Sequence, residues 1–87
     1  MRTAIKLDYP VTVDGEQITE INLRRPKARD YLTASRSAPT SAEQEVRMIC
    51  NLAEVSDKVV EELDWADYLK VQAVLQNFSK AGEPQGK

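Results

Sequence analysis

Ile5, Leu7, Tyr9, Val11 and Val13 alternate with Lys6, Asp8 and Thr12, and the run ends on Asp14-Gly15. That alternation, closed by that dipeptide, constrains the chain more than any other feature. A period of two sets one row of side chains on one face of a half-buried strand. Asp-Gly supplies the positive φ angles of a tight reversal. A second strand therefore returns from about Gln17 carrying Ile18, Ile21 and Leu23. Pro10 has no amide to donate, so it belongs at an edge or a bulge.

The two strands disagree about register. A two-residue loop at Asp14-Gly15 pairs Val11 with Ile18 but sends Ile21 and Leu23 to the face opposite Leu7 and Tyr9. A three-residue loop, Asp14-Gly15-Glu16, pairs Val13 with Gln17, Tyr9 with Ile21 and Leu7 with Leu23. It gathers Leu7, Tyr9, Ile21 and Leu23 on one face, and it is the expected loop.

Arg24-Arg25-Pro26 ends the second strand, because proline cannot extend the ladder and holds Arg25 extended. A short helix is expected from about Lys27 to Arg36, broken by Ser37-Ala38-Pro39-Thr40. Thr40 or Ser41 caps the next helix, and Glu43 completes a capping-box pattern. There Ala42, Val46, Ile49, Cys50 and Ala53 share one face, which makes Cys50 a small buried hydrophobe. Ser56 or Asp57 caps a short helix reaching Leu63. Asp64 opens the last helix, with Asp67 as a first-turn carboxylate that complements the helix dipole. Trp65, Tyr68, Leu69, Val71, Leu75 and Phe78 make that helix apolar on more than one side, so it is central to the core or lends a flank to a partner. The expected fold is α+β: an N-terminal antiparallel β-hairpin followed by three to four short α-helices packed as one small domain. The domain is expected over residues 1–79, with residues 80–87 a disordered tail.

A chain of 87 residues, 41% hydrophobic and 30% charged, suits one soluble domain with one modest core. No apolar run nears the roughly 18 residues that span a bilayer, and the N-terminus lacks a secretory apolar block, so a cytoplasmic location is expected. Histidine is absent, which removes the commonest general base and metal ligand. The three glycines, Gly15, Gly82 and Gly86, cannot form a Walker loop or a dinucleotide fingerprint. Cys50 is the single cysteine, so neither an internal disulfide nor a thiolate metal site is expected. No cofactor and no catalytic residue is expected.

Three constellations remain. Arg24, Arg25, Lys27 and Arg29 form a basic cluster in a slightly basic first part of the chain, while residues 37–87 are acidic. The cluster is a solvated strand end or a dock for an acidic partner. Nucleic acid is disfavoured by an isoelectric point near 5.1. Asp57, Glu61, Glu62, Asp64 and Asp67 are spaced as helix caps and solvated faces rather than as an acid–base pair. Trp65 and Tyr68 are core formers first, with an interface role as the alternative. Met48 and Leu52 beside them could complete an adaptable apolar flank.

VTVDGEQITEINLRRPKARDYL and the later LDWADYLKVQAVLQNF together resemble the tail assembly chaperones of contractile, Mu-like phages and prophages. The shared features are the turn at Val11 to Glu16, the Arg-x-Pro at Arg24 to Pro26, Asp30 shortly into the first helix, and the helix opening at Leu63 to Leu69. Lys27 departs from the small or hydroxylated residue expected to cap that helix. The resemblance implies a non-enzymatic protein that binds and solubilises the tape-measure protein in the bacterial cytoplasm, helps recruit tail tube subunits, and is absent from the mature virion. It also implies a longer product made by programmed frameshifting, for which Gly86-Lys87 suits the slippery codons. The partner-binding residues expected are Arg24, Arg25, Arg29, Met48, Leu52, Trp65 and Tyr68, with self-association open. The alternative is a small regulatory or nucleic-acid-binding accessory protein that uses the cluster from Arg24 to Arg29.

Overall fold

The computed structural model describes residues 2–78; Met1 and residues 79–87, including the expected tail and Gly86-Lys87, lie outside the described residues. Strands β1 (Arg2–Val13) and β2 (Glu16–Arg24) form an antiparallel hairpin. Four helices follow: α1 (Ala28–Ser37), α2 (Ser41–Ala53), α3 (Asp57–Glu62) and α4 (Trp65–Phe78). This is the expected α+β order.

The turn is tighter than the sequence suggested. Val13 pairs with Glu16 and Val11 with Ile18, which makes Asp14-Gly15 a two-residue loop. Asp14 (φ 52°) and Gly15 (φ 80°) are both left-handed, the signature of a type I′ turn whose twist matches the strands. The register conflict is resolved inside β1 instead. Lys6 pairs with Glu20 and Val11 with Ile18, so residues 7–10 together face Thr19 alone. That bulge contains Pro10, where no amide is needed. Ile5 then lies opposite Ile21, and Ile5, Leu7, Ile21 and Leu23 are buried. Tyr9, expected on the same face, is carried outward by the bulge and is 59% exposed.

A bulge frees backbone amides from the ladder, and buried amides need acceptors. Asp67 of α4 supplies them. Its Oδ1 accepts from the Asp8 amide and its Oδ2 from the Tyr9 amide, each at 2.9 Å. Lys70 Nζ lies 3.3 Å from Asp67 Oδ1 and 3.1 Å from Asp8 Oδ2, and donates to the Lys6 carbonyl at 2.8 Å. Asp67 is fully buried, so the sequence reading of it as a solvated first-turn acid is corrected: it fastens α4 to β1. Asp64, one residue before α4, accepts the Ala66 amide at 3.0 Å and takes the capping role.

The core gathers the hairpin face with Ile49, Cys50 and Leu52 of α2, Val59 and Val60 of α3, Leu63, and Val71 of α4. Thr40 caps α2 as expected: the Glu43 amide donates to Thr40 Oγ1 at 3.2 Å, and the hydroxyl donates to Glu43 Oε1 at 3.1 Å. Ala42 falls on the exposed side, whereas Leu52, outside the expected core stripe, is fully buried. Helix α1 stands apart. It buries only Asp30 and Ala34 and packs on α2 rather than on the sheet.

Candidate partner-binding surface

Because α1 gives the core no large side chain, a groove of about 460 Å³ stays open between α1, α2 and the end of α4. Its apolar wall is Pro26, Tyr31, Ala34, Met48, Leu75 and Phe78. Tyr31 is 63% exposed at the rim, while Met48, Leu75 and Phe78 are half-buried.

The position of α1 is set by charge. Arg24 at the end of β2 forks onto Asp30, Nη2 to Oδ1 at 2.7 Å and Nη1 to Oδ2 at 2.9 Å. Asp30 Oδ2 also accepts the Lys27 amide at 2.7 Å. The first turn of α1 is thus capped from within the helix, which removes the need for a hydroxyl side chain at Lys27. The hydrogen bond from Arg24 holds the Asp30 carboxyl down to about 2 against the opposing effect of burial. Between these two residues, Arg25 places its guanidinium 5.6 Å from the Phe78 ring centroid and donates to the Phe78 carbonyl at 3.3 Å. Arg25 therefore ties the end of β2 to the end of α4, beside the groove residue Phe78.

At the other end, α4 meets α2 through a polar contact. Glu45 accepts from the Tyr68 hydroxyl and from Gln72 Nε2, the latter at 3.1 and 3.3 Å. Burial and the Glu45 carboxylate raise the Tyr68 pKa, keeping the hydroxyl a neutral donor. Trp65 stacks on Tyr68 with ring centroids 5.7 Å apart and is 68% exposed, so the expectation that it is core is corrected. Tyr68 and Leu75 face α2, whereas Trp65 and Leu69, one turn apart, face outward.

Of the expected contact residues, the structure brings Arg25, Met48 and Tyr68 around the groove and places Trp65 just beyond it. Arg29 is exposed on α1 away from the groove lining. Arg24 is committed to Asp30, and Leu52 offers no surface. Tyr31, Leu75 and Phe78 were not marked as contacts. Only the breadth of apolar residues in α4 hinted at the last two. Cys50 is buried; burial and then the Asp57 carboxylate push its thiol up to about 12, so it stays protonated. Among the described residues no group of three or more His, Cys, Asp or Glu side chains could hold a metal ion, and no helix is long and apolar enough to cross a membrane.

An open apolar groove of this size, with polar contacts at both ends, is the kind of concave surface on which a partner can be seated. Residues 4–80 match the family described as phage tail assembly chaperone proteins, E, or 41 or 14, and the chain belongs to that family. No curated protein and no solved structure matches it.

Proposed function

We propose that this tail assembly chaperone binds and solubilises the tape-measure protein of a Mu-like contractile tail by seating its apolar helical segments in the groove between α1, α2 and α4. The observation that carries this reading is the apolar wall of Tyr31, Met48, Leu75 and Phe78, left open among the described residues. A groove of that kind suits the apolar face of an amphipathic helix, and methionine adapts to differing side chains. Arg25 and Tyr68 mark its ends and orient what lies between. The work is binding, without catalysis or cofactor. It takes place in the host cytoplasm, where the chaperone also helps recruit tail tube subunits before leaving the assembled tail.

Co-expression with tape-measure segments tests this. The wild-type chain is expected to keep the segments soluble and to co-purify with them. Tyr31→Glu places a charge on the exposed wall and is expected to abolish both while the domain stays folded. Equal recovery of soluble segments with and without the chaperone would overturn the reading.

A further inference from the structure

Strand β2 has a free edge. It pairs with β1 on one side, and the sheet holds no third strand among the described residues. Val13 and Glu16 close the two-residue loop as a bonded pair, and bonded and unbonded pairs alternate along an antiparallel ladder. Gln17 and Thr19 therefore turn their N–H and C=O groups away from β1. Both residues are exposed, and among the described residues neither makes a backbone hydrogen bond outside the hairpin. A second groove, of about 410 Å³, runs beside them. Consecutive residues Glu20, Ile21 and Asn22 all line it, so it follows the edge of β2 rather than one face of the sheet, and Ala53 to Ser56 at the end of α2 form its far wall. Arg2 ties that wall to β2, donating to the Asn22 carbonyl at 3.3 Å and to the Leu52 carbonyl at 3.4 Å. Asp14, Glu16, Glu20 and Glu54 line the groove, and no lysine or arginine does. Arg2 holds Glu54 at 2.8 Å and Lys58 stands 4.0 Å from Asp14, whereas Glu16 and Glu20 form no ion pair among the described residues.

We infer that this edge takes an extended, basic segment of a partner protein as a third strand. Backbone bonds to Gln17 and Thr19 hold the segment in line with β2. Glu16, Ile18 and Glu20 share one face of the strand, so the fitting segment reads basic-x-apolar-x-basic. Its cations lie beside the two glutamates, and its apolar side chain rests on Ile18 and Val55, both half-buried. Charge complementarity selects this occupant. An unpaired edge invites any strand, and acidic side chains hold off a second copy because two edges of the same sign repel. The same acids attract a cationic strand. This edge shares no lining residue with the groove between α1, α2 and α4, so the two sites act separately.

Titrating the full, isotope-labelled chain with the peptide Thr-Lys-Thr-Val-Thr-Lys-Thr, followed by nuclear magnetic resonance, tests the inference. Saturable binding is expected, in which the Gln17 and Thr19 amide signals shift and their hydrogen exchange slows. Binding is expected to weaken at about 0.5 M salt, where exposed charges are screened within a few ångströms. Glu16→Lys with Glu20→Lys is expected to weaken it by about tenfold or more. Thr19→Pro removes an edge amide without touching the ladder to β1 and is expected to abolish it. Methylating the backbone nitrogens of the peptide makes the same test on unaltered protein and is expected to give the same loss. Circular dichroism checks that each variant is folded, and Tyr31→Glu is expected to leave peptide binding unchanged. No binding, or binding that methylation leaves unchanged, would overturn the inference. So would protection of Gln17 and Thr19 that grows with protein concentration in the absence of peptide, because it would seat a second copy on the edge.

Discussion

Removing the Asp67 carboxylate would leave the Asp8 and Tyr9 amides without acceptors inside the bulge, and Lys70 without one of its two carboxylate partners. Burial alone would raise the pKa of this group. The amides of Asp8 and Tyr9, together with the Lys70 ammonium, outweigh that effect and hold it below the usual carboxylate range. Asp67→Ala is therefore expected to lower Tm by more than the few degrees of a surface substitution, as measured by calorimetry. Two other residues separate packing from surface. Leu52→Ala is expected to cost about 3 kcal/mol in urea titration, because it opens a cavity in a closed core. Trp65→Ala removes only an exposed stacked ring and is expected to cost less than about 1 kcal/mol.

At the level of elements, most boundaries were legible because they rest on local chemistry. Thr40 and Glu43 announce the start of α2, Pro26 the end of β2, and Asp14-Gly15 the reversal, each through neighbours a few residues away. What failed were the features decided between distant segments. The register of the hairpin depends on whether an extra residue is cheaper in the turn or in the strand. Here the strand yields because Asp67, some sixty residues on, satisfies the bulge. The groove was illegible for a related reason. Its walls come from three helices, and nothing local to Ala34 reveals that α1 stops short of the core. The turn itself supports a prediction. A Cβ at Gly15 would meet no atom within 4 Å, yet φ is 80°, so Gly15→Ala is expected to cost about 1 kcal/mol from backbone conformation alone. Equilibrium denaturation would read that cost directly.

For the molecule as a whole, acid is the condition that tests how the elements are joined. The Asp30 carboxyl titrates near 2 when folded, against an ordinary value of 3.8. Its contribution to stability is therefore fully present above the ordinary value and is lost as pH falls from there towards about 2. Asp67, depressed in the same direction, adds to the loss. Denaturation midpoints measured at falling pH are expected to drop through this window, and Asp30→Asn is expected to flatten part of the drop. Asp30 and Asp67 secure different joints: one holds α1 to the hairpin, the other α4. Only the second is backed by a buried apolar seam, through Val71. The weaker joint gives the groove a compliant wall. A bulky helix pressing between Tyr31 and Met48 works against the Arg24–Asp30 ion pair, the bond from Gln44 to the Ala38 carbonyl and the packing of α1 on α2 around Ala34, with no large α1 side chain to pull from the packed centre. On the proposed function, segments of different girth would then be accommodated at a local energetic cost that the overall stability of the fold does not set.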